Sequence, residues 1–284
     1  MSGPPRASVL IRTRDGGEQL RRTVAAVRAQ RGVDFEAVIL DTGPAPGASE
    51  PLAGGPVRVV RFEGPFSHAR SSNAAARAAA SEILVFLSDD AVPADDAWLR
   101  TLLAPLDSPE VAATFARQAP GPVASVLEAR DLRRAYPDRG PSPTILSNAS
   151  SALRRSLWRE HPFDESLPLA EDLEWGRWAL ARGLRVVYVP EAVVIHAHGY
   201  DAGALRARYR EEGRALARLG LPVLGGGLPE QAWLRGLPGD LWAVLRAGRF
   251  AELGPALRYH LEMYRALAEG AAAGPGSAPR AGAA

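Results

Sequence analysis

The chain has neither cysteine nor lysine among its 284 residues. Without cysteine it can form no disulfide, no catalytic thiolate and no zinc site built from cysteine, and its redox compartment is left open. Without lysine, all 34 basic residues are arginine. This usage fits a GC-rich coding bias at least as well as a functional demand, although arginine also binds phosphate through paired hydrogen bonds.

Net charge and long hydrophobic runs are also scarce. The formal net charge is only +2, and no basic block is interleaved with aromatic residues, so no nucleic-acid partner is expected. No run reaches the roughly 18 apolar residues that a membrane span requires. The first residues, MSGPPRASVLIRTRDGG, enter a short strand without the basic and apolar regions of a signal peptide. The sequence therefore predicts a cytoplasmic protein without a transmembrane segment.

Hydrophobic residues make up 46% of the chain, which is enough for a sizeable core. In the first third of the chain, short apolar runs typical of strands alternate with helical patterns. In chain order, these elements cover residues 8–11, 18–30, 35–40, 57–62, 68–80 and 83–87. The alternation predicts right-handed βαβ units and a mainly parallel sheet, in which ligands bind beyond the carboxyl ends of the strands.

Carboxylates stand at two of these strand ends. Asp41 ends the second predicted strand, and Asp89 and Asp90 follow the fourth. Two adjacent carboxylates repel each other, so they either face water or share a cation. The sequence has neither a glycine-rich dinucleotide fingerprint nor a phosphate-binding loop ending in Gly-Lys-Ser or Gly-Lys-Thr. This argues against a nicotinamide enzyme or an ATPase of the usual kinds.

The second half of the sequence becomes less regular and then helical. A predicted strand at 111–117 is followed by a proline-rich loop at 118–143 around a short predicted helix at 123–134. After the loop comes a predicted helix whose first turn is acidic and which ends before Gly183. Two short strands and three amphipathic helices follow. Their predicted ranges are 186–189 and 193–195 for the strands, and 202–219, 229–247 and 250–269 for the helices.

A series of motifs resembles the inverting family-2 glycosyltransferases, and within them the rhamnosyltransferase-like bacterial branch. In chain order, the motifs are SVLIRTRDGGEQLRRTVAAVRAQ, FEAVILDTG, FSHARSSNAAARAAASEILVFLSDDAVPADDAWL, SNASSALRRSLWREHPFDESLPLAEDLEW and VPEAVVIHAHGY. The resemblance spans most of residues 7–215. It implies an α/β GT-A fold with a mainly parallel central sheet flanked by helices. Residues 1–200 would form this catalytic domain, 201–269 a C-terminal helical extension and 270–284 a disordered tail.

The resemblance implies metal-dependent, inverting transfer of a hexose from a nucleoside-diphosphate sugar to a hydroxyl acceptor. It leaves open whether the acceptor is a saccharide, a lipid-linked saccharide or a small molecule. It places the donor nucleotide near Thr13, Asp15 and Asp41. The carboxylate of Asp41 can accept from the imide N–H of a nucleobase, or it can turn the chain before Gly43. Asp15 is equally suited to cap the helix that follows.

The family's acidic signature at the end of the fourth strand holds a divalent cation against the donor diphosphate. Asp89 and Asp90 match this signature, whereas Ser88 replaces its first acidic residue. The resemblance makes Asp90 a direct ligand of Mg2+ or Mn2+ and Asp89 a contact to sugar or water. His196 and His198 share one side of an extended segment. They are implied as metal or diphosphate contacts, with a structural role as the alternative.

The remaining implied site residues are Arg70, Asn73, Glu171 and Asp172. Arg70 and Asn73 fall where the family approaches the diphosphate, and an arginine can pair with phosphate. Asp172 is implied as the general base that removes the acceptor proton, with Glu171 as its supporting neighbour. The alternative is that both acids only stabilise the N-terminus of their helix.

Two other functions stay open on the sequence. A non-catalytic sugar-nucleotide-binding subunit would explain Ser88, although the retention of Asp172 argues against it. A nucleotidyltransferase that forms the activated sugar would have a similar sheet and metal, but IRTRDGG is a poor match for its N-terminal loop. For the helical extension, packing on the catalytic domain is favoured over an oligomer or over peripheral contact with the inner face of a membrane.

Overall fold

The computed structural model describes residues 4–14, 16–44, 47–196, 202–222 and 229–273. Two residues with predicted roles, Asp15 and His198, lie outside these ranges, as does most of the predicted tail. The chain divides into two compact units. The first comprises Met1–Ala124, Glu128–Glu165 and Glu171–His198, and the second comprises Ser125–Leu127, Ser166–Ala170 and Gly199–Ala284. The domain boundaries drawn from the sequence stay a prediction.

The first unit is built on an 8-stranded sheet. The strands are β1 (Ala7–Thr13), β2 (Phe35–Asp41), β3 (Val57–Arg61), β4 (Ile83–Ser88), β5 (Ala91–Pro93), β6 (Val111–Pro120), β7 (Ser150–Arg154) and β8 (Arg185–His196). Their order across the sheet is β3-β2-β1-β4-β7-β6-β8-β5. The first four strands by sequence run parallel, β6 pairs in parallel with β8, and β7 and β5 run antiparallel to their neighbours. The predicted, mainly parallel sheet is confirmed.

One predicted pair of strands is a single strand. The sequence indicated strands at 186–189 and 193–195, whereas β8 is continuous through this region. Its register with β6 shifts between Ala116 and Arg117, whose partners are Val189 and Val193. Pro190 has no N–H to donate to the ladder, and the irregularity absorbs that break without ending the strand.

Helices cover both faces of the sheet. They include α1 (Glu18–Arg28), α2 (His68–Ala78), α3 (Trp98–Leu103), α5 (Arg155–Glu160) and α6 (Glu171–Ala181). The helix α4 (Val126–Ala135) begins in the second unit, where its buried Leu127 clusters with Val244 and Ala256. Val9 and Ile11 of β1 belong to a buried cluster with Leu20 of α1, whereas Leu10 belongs to the opposite cluster with Trp175 of α6. Successive residues of a strand point to opposite faces, so β1 is apolar from Val9 to Ile11 because both of its faces are buried.

The second unit contains α7 (Ala202–Arg218), α8 (Pro229–Arg246) and α9 (Leu253–Ala272), which confirm the predicted helical extension. Glycine allows α7 and α9 to approach closely. A Cβ built on Gly213 would lie 2.2 Å from the carbonyl oxygen of Leu267, and one on Gly270 would lie 2.0 Å from that of Arg210. Among the described residues, no helix combines the length and the hydropathy needed to cross a membrane.

Candidate functional site

The carboxyl ends of β1, β2 and β4 lie side by side. Thr13 is the register partner of Asp41, and Arg12 is the partner of Ser88. The hydroxyl of Thr13 donates a hydrogen bond of 2.7 Å to Oδ2 of Asp89, the residue that follows β4. Parallel strands bring their carboxyl ends to one edge, so the sheet itself brings Thr13, Asp41 and Asp89 together at this edge.

Asp41 is buried and holds a turn. Its Oδ1 accepts a hydrogen bond of 2.9 Å from the backbone N–H of Gly43 and lies 3.2 Å from the guanidinium of Arg61. A Cβ on Gly43 would come within 1.8 Å of the carbonyl oxygen of Arg14, so only glycine fits there. The turn role weighed from the sequence is therefore present, and the nucleobase contact of Asp41 stays a prediction.

Asp90, the second residue of the acidic pair, lies against His196. Antiparallel pairing of β5 with β8 sets Ala91 opposite His196, so the preceding residue, Asp90, reaches the imidazole. Oδ1 of Asp90 lies 3.2 Å from Nε2 of His196. The other ring nitrogen, Nδ1, lies 2.7 Å from Oε1 of Gln118, a buried residue of β6.

This pair of side chains fits a divalent cation. A carboxylate oxygen and an imidazole nitrogen are both ligands of Mn2+, and oxygen is the ligand that Mg2+ prefers. Mg2+ is commonly held by one or two carboxylates together with substrate phosphates. The described residues contain no group of three or more histidine, aspartate, glutamate or cysteine side chains suited to a metal ion. Asp90 and His196 therefore fit a metal that shares its coordination with a diphosphate.

Asp172 lies at the start of α6 and is held by the backbone. Its Oδ2 accepts a hydrogen bond of 2.8 Å from the N–H of Asn148, and its Oδ1 accepts one of 2.8 Å from the N–H of Leu173. Burial raises the pKa of Asp172, although these hydrogen bonds and the positive charge of Arg12 lower it in part. A fixed carboxylate with a raised pKa suits a general base.

The residues beside Asp172 restrict the start of its helix. Glu171 is buried, with 4% of its surface exposed. Ala170, directly before it, has a φ of 64°, and it is the sole non-glycine residue with positive φ in the described part of the chain. Such a backbone conformation persists only where the surrounding structure imposes it, and here it lies two residues before the candidate base.

A polar network connects Gln118 with the segment that binds Asp172. The amide nitrogen of Gln118 donates a hydrogen bond of 2.9 Å to the hydroxyl of Ser147, the neighbour of Asn148. Burial and the nearby charge of Asp172 raise the pKa of Tyr136, whereas its interactions with Ser147 and Gln118 lower it in part. Sequence reasoning missed these residues. Ser147 and Asn148 belong to a resembling motif, whereas Gln118 lies just beyond the predicted strand 111–117 and carries no such signal.

The structure places Asn73 and Arg70 against the segment after α5. The side-chain oxygen Oδ1 of Asn73 accepts hydrogen bonds from the indole N–H of Trp158 at 3.0 Å and from the backbone N–H of Phe163 at 3.1 Å. Its amide nitrogen donates to the carbonyl of Phe163 at 2.9 Å and to Glu165 at 3.1 Å. Arg70 lies 3.5 Å from the same Glu165. Asn73 therefore has a packing role, and the predicted diphosphate contacts of both residues stay predictions.

Comparison with known proteins extends over most of the chain. The model of the family described as glycosyl transferase family 2 matches residues 8–158. O-antigen chain rhamnosyltransferase RfbN of Salmonella typhimurium is 26% identical over 223 residues, which are 72% of this chain and 71% of that protein. O-antigen chain rhamnosyltransferase WbaN of Salmonella anatum is 30% identical over 162 residues, which are 52% of this chain and 51% of that protein.

Among solved structures, mannosyltransferase PcManGT from Pyrobaculum calidifontis, in complex with GDP-Man and Mn2+, has a TM-score of 0.65 at 18% identity. The match covers 95% of this chain and 87% of that one. TarS 1–349 of S. aureus has a TM-score of 0.56 at 17% identity, with 94% and 90% covered. At these identities the likeness concerns the fold alone, and it confirms the expected GT-A fold.

Proposed function

The chain belongs to glycosyl transferase family 2 and is a glycosyltransferase, and we propose that it moves a sugar from a nucleoside-diphosphate sugar to a hydroxyl acceptor with inversion. One observation carries this proposal. A chain of contacts runs from Asp90 and His196 through Gln118 to the segment that binds Asp172. It connects a pair of side chains suited to a metal–diphosphate with a carboxylate suited to a base.

Asp172 acts as the base in this proposal. The acceptor oxygen forms a bond to the anomeric carbon while the bond from that carbon to the diphosphate oxygen breaks. The acceptor proton passes to the carboxylate of Asp172, and the electron pair of the broken bond leaves with the nucleoside diphosphate. The N–H groups of Asn148 and Leu173 orient the carboxylate, and buried Glu171 supports it.

Asp90 and His196 would hold Mg2+ or Mn2+, whose chemical contribution is to neutralise the charge that develops on the leaving diphosphate. A related fold that binds Mn2+ together with GDP-Man supports this assignment. Ser88 has no carboxylate to add, so Asp90 is the acidic ligand of the pair. Asp89, fixed by the hydroxyl of Thr13, is assigned to the donor sugar, and Asp41 to the nucleobase.

The donor and the acceptor follow from the relatives. Two relatives are named as O-antigen chain rhamnosyltransferases, so a nucleoside-diphosphate rhamnose is the first donor to test and GDP-mannose the second. A saccharide is the corresponding class of acceptor. A cytoplasmic location is consistent with nucleotide-sugar donors and forms part of the proposal.

The test identifies the leaving group of the reaction. Purified protein is incubated with each candidate donor, a saccharide acceptor and Mn2+ or Mg2+, and the released nucleotide is identified. We expect nucleoside diphosphate, in an amount equal to the transferred sugar, and a loss of release in excess chelator. Pyrophosphate release from a nucleoside triphosphate and a sugar phosphate would instead identify a nucleotidyltransferase. Donor binding with no release for any acceptor would favour a non-catalytic subunit, and full activity in chelator would contradict the metal assignment.

A further inference from the structure

The connection between α8 and α9 exposes an unusual amount of apolar surface. Trp242 is 63% exposed, Leu245 is 42% exposed and Phe250 is 65% exposed. All residues from 245 to 251 are exposed in succession. A single exposed apolar residue is ordinary, whereas a run of large ones marks a contact surface.

The first turns of α9 also expose apolar side chains. Leu257 and Leu261 are 39% and 40% exposed and stand four residues apart, so they share one face of the helix. Ala256 and His260 on the other face are buried within the second unit. We call the exposed residues from Trp242 to Leu261 the α8–α9 corner. A small buried cluster that includes Val244 and Ala256 lies beneath it.

The charge of the corner has one sign. The exposed charged side chains of the corner are all arginine, namely Arg246, Arg249 and Arg258. The acid within the corner, Glu252, is largely buried, pairs with Arg249 and accepts a hydrogen bond of 2.9 Å from the N–H of Val126. The corner therefore presents tryptophan, phenylalanine and leucine among cations.

This combination fits the surface of an anionic lipid bilayer. Tryptophan and phenylalanine favour the boundary between headgroups and acyl chains, and arginine is attracted to anionic headgroups. A second copy of the chain fits less well, because a two-fold interface brings the same patch together from both copies and would set arginine against arginine. We propose that the α8–α9 corner docks this protein on an anionic membrane.

Vesicle flotation tests the proposal. The full chain is mixed with vesicles of phosphatidylcholine alone or with added phosphatidylglycerol. We expect flotation only with the anionic vesicles, and weaker flotation as salt screens the arginines. Replacing both aromatic residues (W242S with F250S) should abolish flotation. Arg246→Ala should weaken partitioning about fivefold. Val123→Ser, which changes an exposed apolar residue of the first unit, should have no effect.

Three results would overturn the docking proposal. The wild type would stay with the soluble fraction, the double variant would float like the wild type, or light scattering would show a dimer that the double variant dissociates. The last result would make the corner an interface between copies. Circular dichroism of the double variant confirms that it is folded, and Arg246→Ala provides a second, milder variant.

A separate observation concerns Gln118, and its interpretation rests on the proposed metal site. Oε1 of Gln118 lies 2.7 Å from Nδ1 of His196, and its amide nitrogen donates to Ser147 at 2.9 Å. In this orientation Gln118 accepts a hydrogen bond from Nδ1–H. A neutral imidazole then carries no hydrogen on Nε2, which faces Asp90 Oδ1 at 3.2 Å. A cation stabilises two such acceptors.

We infer that Gln118 is a positioning residue, which fixes the ring orientation and the tautomer of His196 for metal binding. Residues that hold a metal-ligating histidine in this way commonly change metal affinity by about 10–100-fold when they are replaced. Gln118→Leu removes the acceptor, whereas Gln118→Glu retains an oxygen for Nδ1–H. The first variant should therefore bind metal more weakly, and the second should restore binding.

The measurement is the affinity for Mn2+, which is monitored by electron paramagnetic resonance in the presence of a nucleoside diphosphate. We expect about a 10–100-fold loss for Gln118→Leu and near-normal affinity for Gln118→Glu. Nitrogen NMR of the metal-free wild type should show the His196 hydrogen on Nδ1. If His196→Ala binds Mn2+ normally, the proposed metal site fails. If His196→Ala weakens binding and Gln118→Leu does not, only the role of Gln118 fails.

Discussion

At the scale of the residue, Asp172 is the side chain on which the proposed chemistry depends. Two backbone N–H groups fix its oxygens, while burial raises its pKa. An ordinary surface aspartate is a weak base because its pKa is low. Burial makes the carboxylate of Asp172 a stronger base by raising its pKa, and the positive charge of Arg12 opposes part of this rise.

Replacement of Asp172 by asparagine should remove the base and keep the shape. We expect the turnover rate to fall by about 10²–10⁴-fold, with little change in donor affinity, measured by steady-state kinetics and calorimetry. Asparagine is also a good helix cap, so a purely structural Asp172 would tolerate this change. Glu171→Gln is the matched control and should lose less. An inactive Glu171→Gln beside an active Asp172→Asn would move the base to Glu171.

The pH dependence follows from the raised pKa of Asp172. The base acts when it is ionised, so activity should fall as pH drops through this pKa, at a higher pH than for an ordinary aspartate. Arg12 lowers the pKa, so Arg12→Gln should move the acid limb of the rate profile further upward. Arg31→Gln, which changes an exposed partner of Asp96, is the control and should leave the profile in place.

The same shift has a consequence for stability. A folded-state pKa above the unfolded value means that the folded protein binds the proton more tightly. The contribution of Asp172 to the free energy of unfolding is therefore fully present below the unfolded pKa and is lost as pH rises through the folded pKa. The charged form that the chemistry needs is thus the form that costs stability.

At the scale of the element, Asn73 joins α2 to the segment between α5 and α6. Asn73→Ala would leave the indole of Trp158 and both backbone groups of Phe163 without these partners. Unpaired buried polar groups each cost about 1–3 kcal/mol, so we expect a clear loss of unfolding free energy in a denaturant titration. Ser67→Ala, which removes one cap hydrogen bond on the same helix, should cost less. Unchanged stability in Asn73→Ala would contradict the packing role.

The contact between α7 and α9 supplies a second test at this scale. Gly213→Ala would force a Cβ to within 2.2 Å of the Leu267 carbonyl oxygen. The resulting shift should cost about 1–3 kcal/mol, more than the gain of about 1 kcal/mol from replacing glycine in a helix. Gly254→Ala in α9, where no atom lies within 4 Å of the added Cβ, should be neutral or stabilising. Equal thermal stability of both variants would contradict the close approach.

At the scale of the whole molecule, the residues assigned to donor and metal all belong to the first compact unit. A ligand stabilises the part of a protein that binds it, by about 2.7 kcal/mol at a concentration of one hundred times its dissociation constant. Nucleoside diphosphate with Mn2+ should therefore slow hydrogen exchange in β1, β2 and β4. The α7–α9 contact should change less and serves as the internal control. Protection confined to α7–α9 would contradict the assignment.

The framework of the protein and part of its site can be predicted from the amino-acid sequence alone. Apolar runs alternating with helical patterns are enough to predict a parallel sheet, because strands buried on both faces are apolar throughout. Parallel strands end at one edge, so the strand pattern by itself groups Thr13, Asp41 and Asp89. The resemblance to family-2 glycosyltransferases supplied Asp172, since an acidic helix start alone is equally typical of a helix-stabilising feature.

The contacts between distant segments depend on tertiary packing. The pairing of β5 with β8 brings Asp90 to His196, and the register of β6 brings Gln118 to the same ring. Local sequence carries no signal for such registers, because they depend on how whole strands pack. The same reason explains why β8 is one strand with a bulge, and why Asn73 has a packing role in the interior. Composition and periodicity thus determine which helices and strands form, whereas long-range strand pairing determines which side chains come into contact.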